Sequence, residues 1–250
     1  MPNKVSFVTG AARGRGNGRA IALALAEKGS DVAVADIRHE EAQAVAEEIA
    51  ALGRRALALK MDLSDYDQVV EAFAQAKAEL GPIDILVNNA AVMTNMATIS
   101  TMPREAWDNE IAVNLSGAFY CVKQVFDDMA ERKWGRIINI ASLAGTMGGF
   151  GQASYSSSKA GLIGLAKTIA LEGARLGVTA NAVTLGVIAT DSYLALPEKV
   201  RDKIGQRVPV KREGSPQEVA AVVAFLASEE AAYVTGANFV VSGGLDLFVF

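Results

Sequence analysis

The chain of 250 residues holds one cysteine and one histidine. A lone Cys121 leaves no intrachain disulfide, which fits a reducing compartment, and a cytoplasmic protein is expected. A structural zinc ion takes four ligands, typically Cys and His, and a catalytic one typically takes three, so no metal site is expected and zinc-dependent alcohol dehydrogenation is set aside. A Ser-His-Asp hydrolase would have to use His39 as its base. That residue lies in Arg38-His39-Glu40-Glu41, a charged stretch that reads as a solvated loop or helix start. A general base is therefore sought among Tyr, Lys, Asp and Glu. Positive charge is not in excess: 24 Lys and Arg stand against 28 Asp and Glu, a net charge of −4, which argues against nucleic acid as a partner. No apolar run reaches the roughly 18 to 20 residues that span a bilayer, so no membrane partner is expected. Residues 1–10 run into a strand pattern without the basic region and long apolar core of a signal peptide.

What is present is alternation. Short apolar or β-branched runs at 5–8, 31–35, 56–60, 85–87, 136–140, 179–183 and 238–241 read as strands. Helical periods lie between them. Ala42, Val45, Ala46 and Ile49 give one buried face, and Val69, Val70, Phe73 and Leu80 a second. Trp107, Ile111, Leu115, Ala118, Val122, Val125 and Met129 give a long third stripe, and Val219, Val222, Val223 and Leu226 a late one. Strand–helix alternation repeated this often predicts an α/β doubly wound fold of Rossmann type. Its seven-stranded, mostly parallel sheet carries helices on both faces. No linker, repeat or low-complexity segment interrupts the pattern, so 1–250 is expected to be a single dinucleotide-binding and catalytic domain. The least patterned stretch, 187–212, carries Pro197 and Pro209 and is expected to be a lid over a site.

The first strand ends in Thr9-Gly10-Ala11-Ala12-Arg13-Gly14-Arg15-Gly16-Asn17-Gly18 before a helical period. Glycines let backbone approach a pyrophosphate, and the helix start offers free N–H groups and the positive end of a dipole. Asp36 ends the second strand 20 residues after Gly16. A carboxylate there accepts the adenosine ribose hydroxyls and repels a 2′-phosphate, which favours NAD over NADP.

With these residues in hand, the sequence resembles the short-chain dehydrogenase/reductase family almost end to end. Gly10, Gly14 and Gly16 resemble its glycine motif, and Asp62-Leu63 its adenine-contacting pair. Asn88-Asn89-Ala90 resembles its Asn-Asn-Ala-Gly. Asn114, Ser142, Tyr155 and Lys159 match its catalytic tetrad in order and spacing. Val187-Ile188-Ala189-Thr190 resembles the segment that meets the nicotinamide carboxamide. Tyr233-Val234-Thr235-Gly236 and Ser242-Gly243-Gly244 resemble its C-terminal signature. The resemblance implies cofactor contacts from Gly10, Arg13, Gly14, Arg15, Gly16, Asp36, Asp62, Leu63, Asn89, Tyr155, Lys159, Ile188 and Thr190. Three departures stand out. The glycine turn is two residues longer than usual, so either Gly14-Arg15-Gly16 or Gly16-Asn17-Gly18 takes the Gly-X-Gly part, and Arg15 leaves room for NADP. Ala91 stands for the usual Gly, and Leu185 for the usual Pro before Gly186, which is expected to loosen that turn.

Lys159 follows Tyr155 by four residues, so on a helix the two share a face. A free phenol has a pKa near 10, and a neighbouring ammonium and an oxidised nicotinamide would both lower it. The family pattern implies that Tyr155 passes the proton, Ser142 steadies the same oxygen, Lys159 lowers the Tyr155 pKa and binds ribose, and Asn114 holds a water that extends a proton relay. The main reading is hydride transfer between NAD(H) and a secondary alcohol or ketone, in a pocket of Met93, Met96, Leu143, Met147, Phe150, Gln152, Tyr193 and Leu194. The first alternative is a 3-oxoacyl-carrier-protein reductase using NADPH, with Arg132, Lys133 and Arg175 facing the acidic carrier. The second is a catalytically silent dinucleotide-binding regulatory subunit. A homotetramer is expected by resemblance, and the apolar tail 245–250 is expected at a subunit interface or the pocket rim.

Overall fold

A computed structural model describes residue 1, residues 3–12 and residues 14–247. One sheet of seven strands runs in the order β3-β2-β1-β4-β5-β6-β7. Its strands are β1 (Val5–Thr9), β2 (Asp31–Asp36), β3 (Ala56–Lys60), β4 (Ile85–Asn88), β5 (Gly135–Ser142), β6 (Val178–Leu185) and β7 (Asn238–Val241). Every pairing is parallel, so the expected doubly wound sheet is present and is parallel throughout the described residues. The strands at its centre are buried along their whole length, which is why they read as near-continuous apolar runs.

The helices are α1 (Asn17–Glu27), α2 (His39–Ala51), α3 (Tyr66–Leu80), α4 (Arg104–Ile111), α5 (Gly117–Glu131), α6 (Leu143–Met147), α7 (Ala153–Gly173), α8 (Asp191–Leu194), α9 (Glu198–Gly205) and α10 (Pro216–Leu226). Side chains alternate across the sheet and divide the core in two. Val32, Val34, Val87, Ile138 and Val183 meet α1, α2 and α10 on one face. Phe7, Ala33, Leu86, Ile137 and Ala180 meet α3, α5 and α7 on the other. Local signals fix the helix starts. Asp65 caps α3 by accepting from the amides of Asp67 and Gln68, and Ser215 and Glu218 form a reciprocal capping box before α10 with Pro216 at its first turn.

Three details depart from the sequence expectation. The long third stripe is not one regular helix: a π-helical segment, Ala112–Ser116, separates α4 from α5 and carries Asn114. Trp107 and Val70 are partly exposed, at 37 % each, because each lies at the edge of its helix stripe rather than at its centre. Leu185 does not loosen a turn. It extends β6, in register with Ser142 on one side and Val241 on the other, a place that proline could not fill as a donor.

The segment after β6 is an excursion with pinned ends. Ile188 and Gly214 form a parallel bridge, and the Ala189 N–H donates to the Gly214 carbonyl at 2.8 Å. Within it, Val208 is buried and the Val210 N–H donates to the Gly243 carbonyl.

Phe7 and Phe73 stack at 3.8 Å between centroids, both essentially without exposure. Phe73→Ala should therefore destabilise the protein by about 3–5 kcal/mol, the cost of truncating a buried aromatic. Chemical denaturation read by circular dichroism checks this. A loss below ~1 kcal/mol would mean that the α3 face is not packed as described.

Candidate active site

The strand order reverses between β1 and β4, and a parallel sheet opens a crevice at such a switch beyond the carboxyl ends of its strands. A cleft of about 400 Å³ lies there. Its walls include Gly10, Gly16, Asn17 and Gly18 from the glycine turn, Asp36 and Arg38 after β2, Asp62 and Leu63 after β3, Asn89 to Val92 after β4, and Thr190.

The turn after β1 is braced by side chains from β4. The Thr9 hydroxyl accepts from the amides of Asn89 (3.0 Å) and Ala90 (3.1 Å), while Asn89 Nδ2 donates to the carbonyls of Thr9 (2.9 Å) and Gly10 (3.0 Å). Backbone contact this close forbids side chains. A Cβ on Gly18 would lie 2.3 Å from the Gly10 carbonyl, and one on Gly10, whose φ is +66°, 2.6 Å from Ala90 Cα. A Cβ on Gly14 would meet nothing nearer than the Asp191 carboxylate at 3.5 Å. Gly16 caps α1 and Gly18 sits in its first turn, so Gly16-Asn17-Gly18 is the tight element. The inserted Gly14 and Arg15 turn away from the cleft. There the Arg15 amide donates to Asp191 Oδ2 at 2.8 Å, and the Asp191 amide donates to the Arg15 carbonyl at 3.1 Å. Arg13 lies outside the described residues.

Asp36 is buried at the cleft wall. Its Oδ2 accepts from the Ala12 amide at 3.1 Å and its Oδ1 from the Arg38 amide at 3.0 Å. The Arg38 guanidinium lies 3.5 Å from the same Oδ1 and pairs with Glu41 at 2.8 Å. Asp62 spends Oδ1 on the amide and hydroxyl of Ser64, and its own amide donates to Gln68 Oε1 at 3.2 Å. The Ile188 side chain is buried in the core beneath α10, so any cofactor contact from this residue would be made by its backbone. The residues present fit a nicotinamide dinucleotide. Glycine backbone lies where a Cβ cannot, a carboxylate stands at the end of β2, and Asn17 Oδ1 is buried without a partner in the wall.

The four tetrad candidates gather at the ends of β5, α7 and the π-helical segment. Ser142 ends β5 and caps α6, accepting from the Ala144 amide at 3.2 Å. Its hydroxyl neighbours the Tyr155 phenol. Lys159 is buried one turn along α7, with Nζ 5.8 Å from the Tyr155 ring and donating to the Ile140 carbonyl at 2.8 Å. Burial pulls its ammonium down to about 8. With the protein alone the Tyr155 pKa is raised. Burial raises its pKa, the Ser142 hydrogen bond lowers it, and the Glu110 carboxylate raises it. Lys159 points at a carbonyl rather than at the phenol oxygen, so with the protein alone the phenol stays protonated. Asn114 clamps the chain after β4: its Oδ1 accepts from the Val92 amide and its Nδ2 donates to the Val92 carbonyl, both at 2.8 Å, with a further bond to Ser158 at 3.3 Å. Its amide is thus spent on protein groups, and a relay water would have to use backbone. Burial pushes the Cys121 thiol up, and no group of three or more potential ligands could hold a metal among the described residues.

Glu110 escaped the sequence analysis. It is fully buried and joins the 94–95 loop to α7 through Ser154. Its setting, Trp107-Asp108-Asn109-Glu110, reads as a solvated helix face. Two further expectations change. Arg132 is held by Asp84 and by the Ile83 carbonyl, and the Tyr193 hydroxyl donates to Glu213 at 2.9 Å rather than facing a pocket. Met93, Met96, Met147 and Phe150 form an exposed apolar rim around 93–97 and 147–152, two loops joined by the Ala97–Gln152 bridge.

A parallel sheet with a dinucleotide cleft at its switch point and a Ser-Tyr-Lys cluster beside it defines a nicotinamide-dependent oxidoreductase. The comparisons agree. Residues 10–246 match a family model described as enoyl-(acyl carrier protein) reductase. Nodulation protein G of Azospirillum brasilense is 44 % identical over 98 % of this chain and 99 % of its own length. The 3-oxoacyl-[acyl-carrier-protein] reductase FabG of Staphylococcus epidermidis is 42 % identical over 97 % and 99 %. The acetoacetyl-CoA reductase of Cupriavidus necator is 42 % identical over 99 % and 100 %. A crystal structure ascribed to a gluconate dehydrogenase of Agrobacterium tumefaciens superposes with a TM-score of 0.94 at 30 % identity, covering 100 % of this chain and 98 % of that one. The chain belongs to the short-chain dehydrogenase/reductase family and is an enzyme of its oxidoreductase kind.

The packing separates the two glycine readings. Gly18→Ala should abolish dinucleotide binding, and Gly14→Ala should leave it within about twofold, since only the first puts a methyl group into backbone. Titration by nicotinamide fluorescence checks both. Equal losses would reassign the pyrophosphate turn to Gly14-Arg15-Gly16.

Proposed function

We propose that the protein is a 3-oxoacyl thioester reductase that takes its hydride from NADH. The observation that carries the substrate class is the near-full-length similarity to reductases named for 3-oxoacyl-carrier-protein and acetoacetyl-CoA substrates. This favours the first alternative of the sequence analysis over a general secondary alcohol dehydrogenase. The site is consistent with it. The Met93, Met96, Met147 and Phe150 rim offers flexible apolar surface to an acyl chain, and the uncharged Ser142 and Tyr155 hydroxyls face a carbonyl oxygen without a competing cation.

When bound, the cofactor supplies the hydride. Everything else falls to the chain. Ser142 and Tyr155 hold the substrate carbonyl oxygen between two hydroxyls, and the protonated phenol gives up its proton to that oxygen as charge develops. Lys159, anchored on Ile140, would bind the nicotinamide ribose and restore charge balance beside the phenolate. Asn114 fixes Val92 and so the wall shared by the cleft and the tetrad. Segment 187–212 serves as the lid, and Thr190 at its start reaches the nicotinamide end. Carrier docking by a basic patch rests on Lys133 and Arg175, with Arg132 already paired. A homotetramer is proposed on the family pattern, with exposed Phe119 and Leu171 available to subunit contacts.

NADH is preferred over NADPH because Asp36 presents a carboxylate and Arg38, the cation nearest to it among the described residues, is engaged by Asp36 and Glu41. Fluorescence titration should give a Kd for NADH at least about tenfold below that for NADPH, and Asp36→Ala should narrow the gap. Preference for NADPH in the unaltered protein would overturn the cofactor assignment. Reduction of acetoacetyl-CoA should fall by about a thousandfold or more in Tyr155→Phe with dinucleotide affinity retained. Turnover near the wild-type rate would remove Tyr155 from the mechanism.

A further inference from the structure

Glu110 has no exposed surface, yet it lies in no ion pair among the described residues. Its Oε1 accepts from the Thr94 amide at 2.6 Å, the Thr94 hydroxyl at 3.1 Å and the Asn95 amide at 3.3 Å, and its Oε2 accepts from the Ser154 hydroxyl at 2.7 Å. Two of these partners are backbone N–H groups, which can only donate, and they converge on one oxygen together with a hydroxyl. That is the coordination of an ionised carboxylate, held by dipoles instead of a counter-ion. Carrying such a charge inside a protein is costly, and simple packing would be served as well by an apolar side chain.

Its location gives the charge a use. Ser154 is itself fully buried, stands in the first turn of α7 and precedes Tyr155 in the chain. We propose that Glu110 is a positioning residue of the reduction: its buried carboxylate, locked to Ser154 at the start of the Tyr155 helix, holds Tyr155 in place and keeps its phenol in the proton-donating form. The inference rests on the assignment of Tyr155 as the proton donor. Two charged groups act on the phenol. Glu110 comes from α4 and Lys159 from α7 itself, and Lys159 is turned to the Ile140 carbonyl. The other segments packed around it carry no charge: residues 93–97, the π-helical segment, the Ser142 end of β5, and α6. The negative charge therefore opposes phenolate, in the direction noted above for Tyr155. The same carboxylate gathers the 94–95 loop, so one buried anion ties substrate-side backbone to the proton donor.

The test is a pH titration of the Tyr155 phenol by near-ultraviolet difference absorbance, each protein being measured against its own Tyr155→Phe partner with saturating NAD⁺. Glu110→Gln keeps the shape and an oxygen for the Thr94 and Asn95 amides, and its new NH₂ can donate to Ser154. Its Tyr155 midpoint should fall by about one pH unit, and the pH above which acetoacetyl-CoA reduction declines should fall with it. An unmoved midpoint overturns the proposal. Should Glu110→Gln not fold, the double variant Glu110→Leu with Ser154→Ala removes the charge without leaving the serine unpaired. The same fall is expected there, and its absence is equally fatal. The titration needs no turnover, so it is read separately from the Tyr155→Phe assay. Full activity in that assay would sink the donor assignment, and an unchanged midpoint would sink only the role of Glu110.

Discussion

The site depends on how closely two backbone segments approach at the switch between β1 and β4. Thr9 and Asn89 exchange hydrogen bonds across this junction, and the glycine turn is stitched to the end of β4 by them. At this separation there is no room for a Cβ on Gly10 or Gly18. A larger residue would push α1 off the sheet and remove both the bare amides and the helix end that an anion needs. Polar side chains of this kind can be buried because most of their polar atoms meet a partner of opposite sense, Asn88 Oδ1 being an exception among the described residues. The same economy continues into β5, where Asn88 donates to Asn139 and Asn139 donates to the Leu162 carbonyl of α7. The helix bearing Tyr155 and Lys159 is thereby referenced to the strands that carry the cleft.

Burial weakens the Lys159 ammonium, whereas the Glu110 carboxylate is surrounded by hydrogen-bond donors. With the protein alone, burial first and the Glu110 carboxylate after it raise the Tyr155 pKa, and the phenol holds its proton. A positive group brought against the cluster reverses this balance. On the proposed mechanism, the direction of proton transfer would be set by what occupies the cleft rather than by Tyr155 itself, so that a phenol of ordinary acidity could serve as acid in one direction and base in the other.

Much of this could be read from the sequence because the relevant signals are periodic or contiguous. Strands buried on both faces announce themselves as apolar runs, and all seven were placed to within two residues at each end. Tyr155 and Lys159 are neighbours by helix periodicity, and Asp36 by its place at a strand end. What could not be read is whatever depends on long-range approach. The packing that favours Gly16-Asn17-Gly18 depends in part on Asn89, 71 residues from Gly18 in sequence (89 − 18). Glu110 looks like any charge on a surface helix until the 94–95 loop and Ser154 close over it. Ile188 carries a family motif, but its side chain was claimed by the core. Spacing shows that Lys159 is near Tyr155, not that burial raises the phenol pKa or that the ammonium is turned toward Ile140.

The two residues by which the glycine turn exceeds the family pattern alter how the cleft is bounded. Arg15 and Asp191 exchange two hydrogen bonds, one through the Asp191 carboxylate and one through backbone. Asp191 opens α8 directly after Thr190, within a segment whose own ends are pinned by the Ile188–Gly214 bridge. Displacing that segment from the cleft therefore means breaking both Arg15 bonds or carrying the inserted turn with it. Each bond contributes roughly 1 kcal/mol, somewhat more for the one to a carboxylate. Together, at ~2 kcal/mol, they favour the contact between turn and segment roughly thirtyfold while leaving it reversible. A chain with the shorter turn lacks these groups at this place, and its segment would be held by its own ends alone. The insertion is thus tolerated by the dinucleotide cleft because it is directed out of it, and it gains a partner on the opposite rim.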